Sequence, residues 1–166
     1  VVGFTWDSTR IAGIDILLKD NQKWKADNFE AKIMHIPGHT SGHIGYQFFK
    51  EKIVFTGDTL FSLGCGRIFE GTYKEMFESL KIIKSLPEET KIYCGHEYTL
   101  NNSKFCIKYD PENQSLKKKI ENLKKKVVAG LPTIPSTIKD ELDCNIFLRA
   151  RDLKSFSKLR DLKDNF

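Results

Sequence analysis

Histidine is scarce in this chain. The 166 residues hold four, at positions 35, 39, 43 and 96, so any chemistry that depends on imidazole is confined to two short stretches. Cysteine is almost as sparse, and Cys65, Cys94, Cys106 and Cys144 form no C-x-x-C pair. No disulfide framework is indicated, and reduced thiols in a cytoplasmic protein are the expectation. Cys94 is read as a small buried residue in preference to a ligand or nucleophile. Long apolar runs are missing, and the mean hydropathy is −0.40, which argues for a soluble protein with no membrane partner. Repeats and low-complexity segments are absent apart from two lysine clusters.

Those clusters carry the charge. The net +5 is uneven: residues 104–166 hold fifteen Lys and Arg against nine acids, leaving −1 for everything before. Lys117–Lys119 and Lys124–Lys126 flank Ile120 and Leu123 with Val127 beyond, apolar residues at helical spacing with lysine filling the rest. A solvated helix face is the first reading; steering of an anionic substrate is the second. Few aromatics are interleaved, so a base-stacking platform, and nucleic acid as a partner, are not expected.

Short β-branched and aromatic runs near 14–18, 31–36, 44–49, 52–55 and 91–93 read as strands, with Lys50-Glu51 as a tight turn. Residues 74–86 place Met76, Phe77, Leu80, Ile83 and Leu86 on one face before Pro87, a helix packed on a sheet. Beyond residue 98 the pattern is helical only, at 101–109, 112–128 and 152–162. An α/β part over residues 1–98 and a helical part over 99–166 is the expected organisation.

Three segments place a metal-capable side chain beside glycine at a strand end: His39-Thr40-Ser41-Gly42-His43, Gly57-Asp58-Thr59 and Gly95-His96-Glu97. Imidazole and carboxylate suit zinc, iron or manganese engaged in hydrolysis, and one carboxylate can bridge two ions. Asp58 is the only carboxylate so placed. His35 lies in an apolar run and is read as structural.

Together with Gly64-Cys65-Gly66-Arg67-Ile68-Phe69-Glu70-Gly71-Thr72, Tyr93-Cys94-Gly95-His96-Glu97-Tyr98-Thr99, Pro132-Thr133-Ile134-Pro135-Ser136-Thr137 and Asn145-Ile146-Phe147-Leu148-Arg149, these segments resemble glyoxalase II, the hydroxyacylglutathione hydrolases of the metallo-β-lactamase superfamily. The resemblance implies an αββα sandwich followed by a helical glutathione-binding domain. Here the sandwich is expected to be incomplete, because the T-H-x-H-x-D-H segment of the family has no counterpart. A fragment, or a split or decayed gene with a separately encoded amino-terminal segment as partner, is the corresponding expectation.

By the same resemblance His39 binds one divalent ion, His96 the other, and Asp58 bridges them as the central catalytic carboxylate. The metal is zinc, with iron or manganese open. His43 and Thr59 orient these ligands, with Glu97 in a similar role. Arg67, Phe69, Tyr98, Arg160 and Lys163 meet the glutathione thioester, Arg160 and Lys163 as cations one turn apart on a helix face. The implied reaction is hydrolysis of S-(2-hydroxyacyl)glutathione to glutathione and a 2-hydroxy acid such as D-lactate, as in methylglyoxal detoxification. A non-catalytic remnant and a sulfur dioxygenase or nucleic-acid hydrolase of the same superfamily are the alternatives.

Overall fold

The computed structural model describes residues Val1–Phe166. Ten strands and five helices follow in the order β1 (Val2–Phe4), β2 (Ile16–Leu18), β3 (Lys23–Ala26), β4 (Phe29–His35), β5 (Ile44–Phe48), β6 (Ile53–Gly57), β7 (Leu60–Phe61), β8 (Gly64–Cys65), α1 (Tyr73–Lys84), β9 (Lys91–Cys94), α2 (Thr99–Tyr109), α3 (Gln114–Val128), β10 (Ser136–Thr137), α4 (Ile138–Cys144) and α5 (Leu153–Asp164). Six strands form one sheet in the order β10-β9-β6-β5-β4-β3. Within this sheet only β6 and β9 pair in parallel, and outside it β1 pairs in parallel with β2. No helix is long and apolar enough to cross a membrane.

Alternation in the strands decides which residues meet the helices. Met34, Ile36, Val54 and Ile92 face Met76, Leu80 and Ile83 of α1, in a core that also includes Phe105 of α2, Leu116 and Leu123 of α3, Ile138 of α4 and Phe156 of α5. One core therefore spans both the sheet and the helices that follow it. Helix α1 starts at a capping box in which Thr72 and Glu75 exchange hydrogen bonds, worth about 1 kcal/mol at such a terminus.

The opposite face of the sheet is aromatic. The register sets Trp24 against Ala31, Ile33 against Tyr46, Tyr46 against Phe55 and Phe55 against Tyr93. The Phe55 and Tyr93 rings stack at 5.4 Å, and Phe55 remains 44% exposed. Residues 1–18 lie beside part of this face, where Phe4 stacks on His35 at 4.5 Å.

Two expectations need correction. The carboxyl-terminal part is not helical only, since Ser136 and Thr137 of β10 pair with Ile92 and Lys91 and close the sheet edge; two residues are too few to leave a period in the sequence. At the other edge β3 is an unforeseen strand. Its lysines, Lys23 and Lys25, pair with Glu30 across the ladder and conceal an edge strand behind a charged pattern.

Candidate active site

Strands β4, β6 and β9 run in the same direction, because β4 and β6 are each antiparallel to β5 and β9 is parallel to β6. Their carboxyl ends therefore meet at one edge of the sheet, and the loops leaving them carry His39, Asp58 and His96. Asp58 Oδ2 lies 3.6 Å from His39 Nε2 and Asp58 Oδ1 lies 3.5 Å from His96 Nε2. Glycine makes this approach possible. A Cβ on Gly95 would stand 2.6 Å from Asp58 Oδ1, and one on Gly66 would collide with the Asp58 carbonyl. Gly57 combines a left-handed φ of 50° with a site where a Cβ would strike the His43 ring.

Two of the imidazoles, those of His39 and His43, are held by backbone. His39 Nδ1 lies 2.8 Å from the Arg67 carbonyl; an N–H there donates to that oxygen and leaves the Nε2 lone pair facing Asp58. His43 Nε2 accepts from the Asp58 amide at 3.1 Å, and burial pushes its pKa down, which favours the neutral acceptor form. Thr59 is buried, donating its hydroxyl to the Ile36 carbonyl at 2.8 Å. Glu97 accepts from the amide and hydroxyl of Thr133, and these bonds hold its carboxyl below the usual range. His35 is outside the group, with Nε2 at 2.8 Å from the Ser41 carbonyl.

The arrangement fits cations held in common. Two donors each about 2.1 Å from one tetrahedral ion sit about 3.4 Å apart, close to the separations found on both sides of Asp58. Asp58 Oδ1 is also buried without a hydrogen-bond partner, a costly condition for a carboxylate oxygen unless a cation satisfies it. The residues pair without closing a cage, as no group of three or more His, Cys, Asp and Glu side chains is gathered around one point.

A cleft of about 540 Å³ opens over these residues. Tyr98 stacks on His96 at 5.0 Å, and the Phe69 ring lies 4.9 Å from that of His39. Arg67 is largely exposed at the cleft wall, its Nε 3.4 Å from Asp164 Oδ1. Lys163 is half-buried over the Phe105 and Phe166 rings, at 5.2 and 5.1 Å. Burial, and then Arg160, lower its pKa.

Arg160 departs from the picture of an open cationic helix face. It is 2% exposed. It donates through Nη1 to the Cys65 carbonyl at 2.8 Å and through Nη2 to Asp164 Oδ1 at 2.9 Å. Its guanidinium lies over Phe147 at 5.2 Å. Burial depends on contacts 95 residues away in the chain, which helical spacing does not report.

Sequence reasoning passed over Phe61, Asn101, Asn102 and Asp164, all of which line the cleft. Asn102 had a signal, since it follows Tyr98 by one helical turn and its amide donates to the Tyr98 carbonyl. It also passed over Arg10, which pairs with Glu70 while Glu70 accepts from the Ser41 amide at 2.9 Å, bracing the loop of His39.

Both parts of the chain resemble known proteins. Residues 25–96 match a family model described as the metallo-beta-lactamase superfamily, and residues 97–166 match one described as the hydroxyacylglutathione hydrolase C-terminus. The chain is 63% identical over 166 residues to a hydroxyacylglutathione hydrolase of Pelagibacter ubique, covering all of this chain and 70% of that protein. It is 38% identical over 180 residues to one of Methylococcus capsulatus, again 70% of which is covered. Among solved structures, ETHE1 from Myxococcus xanthus superposes with a TM-score of 0.66 at 21% identity, over 97% of this chain and 55% of that one. The BLEG-1 B3 metallo-beta-lactamase gives 0.60 at 23% identity, over 88% and 63%. Both are likenesses of fold.

Proposed function

Because the chain belongs to the hydroxyacylglutathione hydrolase family of the metallo-β-lactamase superfamily, a family of thioester hydrolases, we propose that residues 1–166 carry the shared carboxylate and the substrate cleft of a metal-dependent thioesterase. The substrate is an S-(2-hydroxyacyl)glutathione, and the products are glutathione and a 2-hydroxy acid such as D-lactate. The observation that carries this reading is Asp58, whose two oxygens each face the Nε2 of a different imidazole beneath the cleft.

Divalent cations of the zinc, iron or manganese kind, held by His39, Asp58 and His96, would supply hydroxide at neutral pH and polarise the thioester carbonyl. The protein's own part is placement. The Arg67 carbonyl fixes the tautomer and direction of His39, and His43 fixes the Asp58 amide. Orientation of ligands by such neighbours typically matters about 10–100-fold in metal affinity or activity. Arg67 and Lys163 offer positive charge to the carboxylates of the tripeptide. Tyr98, Phe61 and Phe69 give its thioester end an apolar wall beside the histidines. Arg160 acts on the cleft through the Cys65 carbonyl. Thiolate is a good leaving group, so no side chain has to protonate it.

Within residues 1–166 each ion would find one imidazole and one carboxylate oxygen. The remaining ligands are proposed to come from a further segment seated on the aromatic face of the sheet, where Phe55 and Tyr93 provide the apolar contact. Fusing the part of the Pelagibacter ubique relative that lies outside the matched region to this chain tests the reading. The fusion should bind two divalent ions and hydrolyse S-D-lactoylglutathione, and Asp58→Ala should abolish both. Retention of two ions and normal turnover by Asp58→Ala, or oxygen uptake with glutathione persulfide in place of thioester hydrolysis, would overturn it.

A further inference from the structure

The hairpin β7-β8 follows Asp58 and precedes Arg67, the residue whose carbonyl orients His39. Its turn, Ser62-Leu63, is buried, and Leu63 has a left-handed φ of 58°, a conformation that a γ-branched side chain adopts only when its surroundings enforce it. A buried turn must also find partners for its peptide groups. Here they come from side chains of the helical part. Glu141 Oε2 accepts from the Leu63 amide at 2.8 Å. Asn145 donates through Nδ2 to the Gly64 carbonyl at 3.1 Å, to the Phe61 carbonyl at 3.5 Å and to Glu141 Oε2 at 2.9 Å. Asn102 Nδ2 donates to the Ser62 carbonyl at 3.1 Å, and the Cys106 thiol to the Leu63 carbonyl at 3.2 Å. Glu141 and Asn145 are both fully buried and neither lines the cleft.

We propose that Glu141 and Asn145 are positioning residues for the metal-ligand loops: by clasping the strained turn at Leu63 they set the spacing between Asp58 and the Arg67 carbonyl, and through that carbonyl the direction of the His39 ring. The helical part thus holds the ligand side of the site as well as the substrate side. The proposal rests on the reading above only in regarding His39 and Asp58 as ligands.

The alternative, that Glu141 and Asn145 merely stabilise the fold, is separable because the clasp acts in a particular direction. The metal-free chain, examined by NMR, is sufficient, so turnover plays no part. In unaltered protein the amides of Leu63 and Gly66 should exchange with solvent only in the opening that also releases the amide of Asn145, with the same denaturant dependence. Opening of the hairpin while Asn145 stays protected would refute the clasp.

Substitution gives the second arm. Glu141→Gln keeps an oxygen for Leu63 and Asn145, whereas Glu141→Leu removes it and leaves a buried amide unpaired. Glu141→Leu should speed exchange at Gly66 at least about tenfold and give the His39 ring nitrogens the shifts of a mixed tautomer population. Glu141→Gln should restore both, and Leu123→Ala, which weakens the core from α3, should leave His39 unchanged. Unaltered Gly66 and His39 signals in folded Glu141→Leu protein, or the same change in Leu123→Ala, would overturn the proposal. If Glu141→Leu does not fold, the exchange pattern of the unaltered chain decides. Loss of the thioesterase reading would leave these signals as they are.

Discussion

Removing Arg160 should injure the fold before it injures binding. Arg160→Ala deletes a charge-assisted hydrogen bond to the Cys65 carbonyl, worth about 1.5–3 kcal/mol, and a stack over Phe147 worth about 1 kcal/mol. The pair with Asp164 adds little, about 0.5 kcal/mol, because that carboxylate is a third exposed. Against these stands Arg160 Nε, buried with no partner, whose removal recovers about 1–2 kcal/mol. The net loss is about 1–3.5 kcal/mol, or a fall in Tm of roughly 2–14 °C for a chain of this size. Urea unfolding followed by far-ultraviolet circular dichroism measures it, with the m-value checked for constancy. In the fusion proposed above kcat and KM should both suffer, since Cys65 ends the strand that leads into Arg67. A loss below about 0.5 kcal/mol together with a change in KM alone would refute this account and return Arg160 to direct contact with substrate.

Gly66→Ala should cost about 3 kcal/mol or more, because its Cβ meets the Asp58 backbone and no flexible side chain can yield; a Tm within about 2 °C of the parent would contradict that. Burial raises the pKa of Glu141 above its ordinary 4.5. A carboxyl whose folded pKa is raised binds its proton more tightly in the native state, so stability is full below pH 4.5 and declines as pH rises through the folded value. Glu141→Gln should therefore flatten the stability profile on the alkaline side of pH 4.5, and a profile parallel to the parent's would count against a buried ionising carboxyl. Native protein at pH 8 should react with a disulfide reagent at Cys94 at most, since burial pushes the thiols of Cys106 and Cys144 up to about 12 and about 11; rapid modification of either, mapped by mass spectrometry, would show that the core opens.

The meeting of His39, Asp58 and His96 was more legible in the sequence than the surroundings that hold them. His39, Asp58 and His96 are legible because each sits beside a glycine at a strand end, and close approach to a carboxylate requires both features. Strands β4, β5, β6 and β9 are legible from their apolar runs. Strand β3 is not, because lysines guard an edge and mask the period, and β10 is too short to have one. The burial of Arg160 and of Glu141 is what the sequence hides most deeply. Arg160 looks like a surface charge on an amphipathic helix, and Glu141 like an acid in the first turn of α4. Both are enclosed by the Cys65 and Leu63 loops, far away in the chain, and no local pattern encodes such a meeting.

The pairing of β10 with β9 has a consequence for synthesis. Chains emerge from the ribosome amino end first and fold as they appear. Until residues 136–137 are available, β9, which delivers His96, is the last strand of an unfinished sheet, with its outer peptide groups free to recruit a neighbouring nascent chain. Such edges are where misassembly begins. Two residues of β10, clamped by the α4 capping box in which Thr137 accepts from the Asp140 amide, cover that edge.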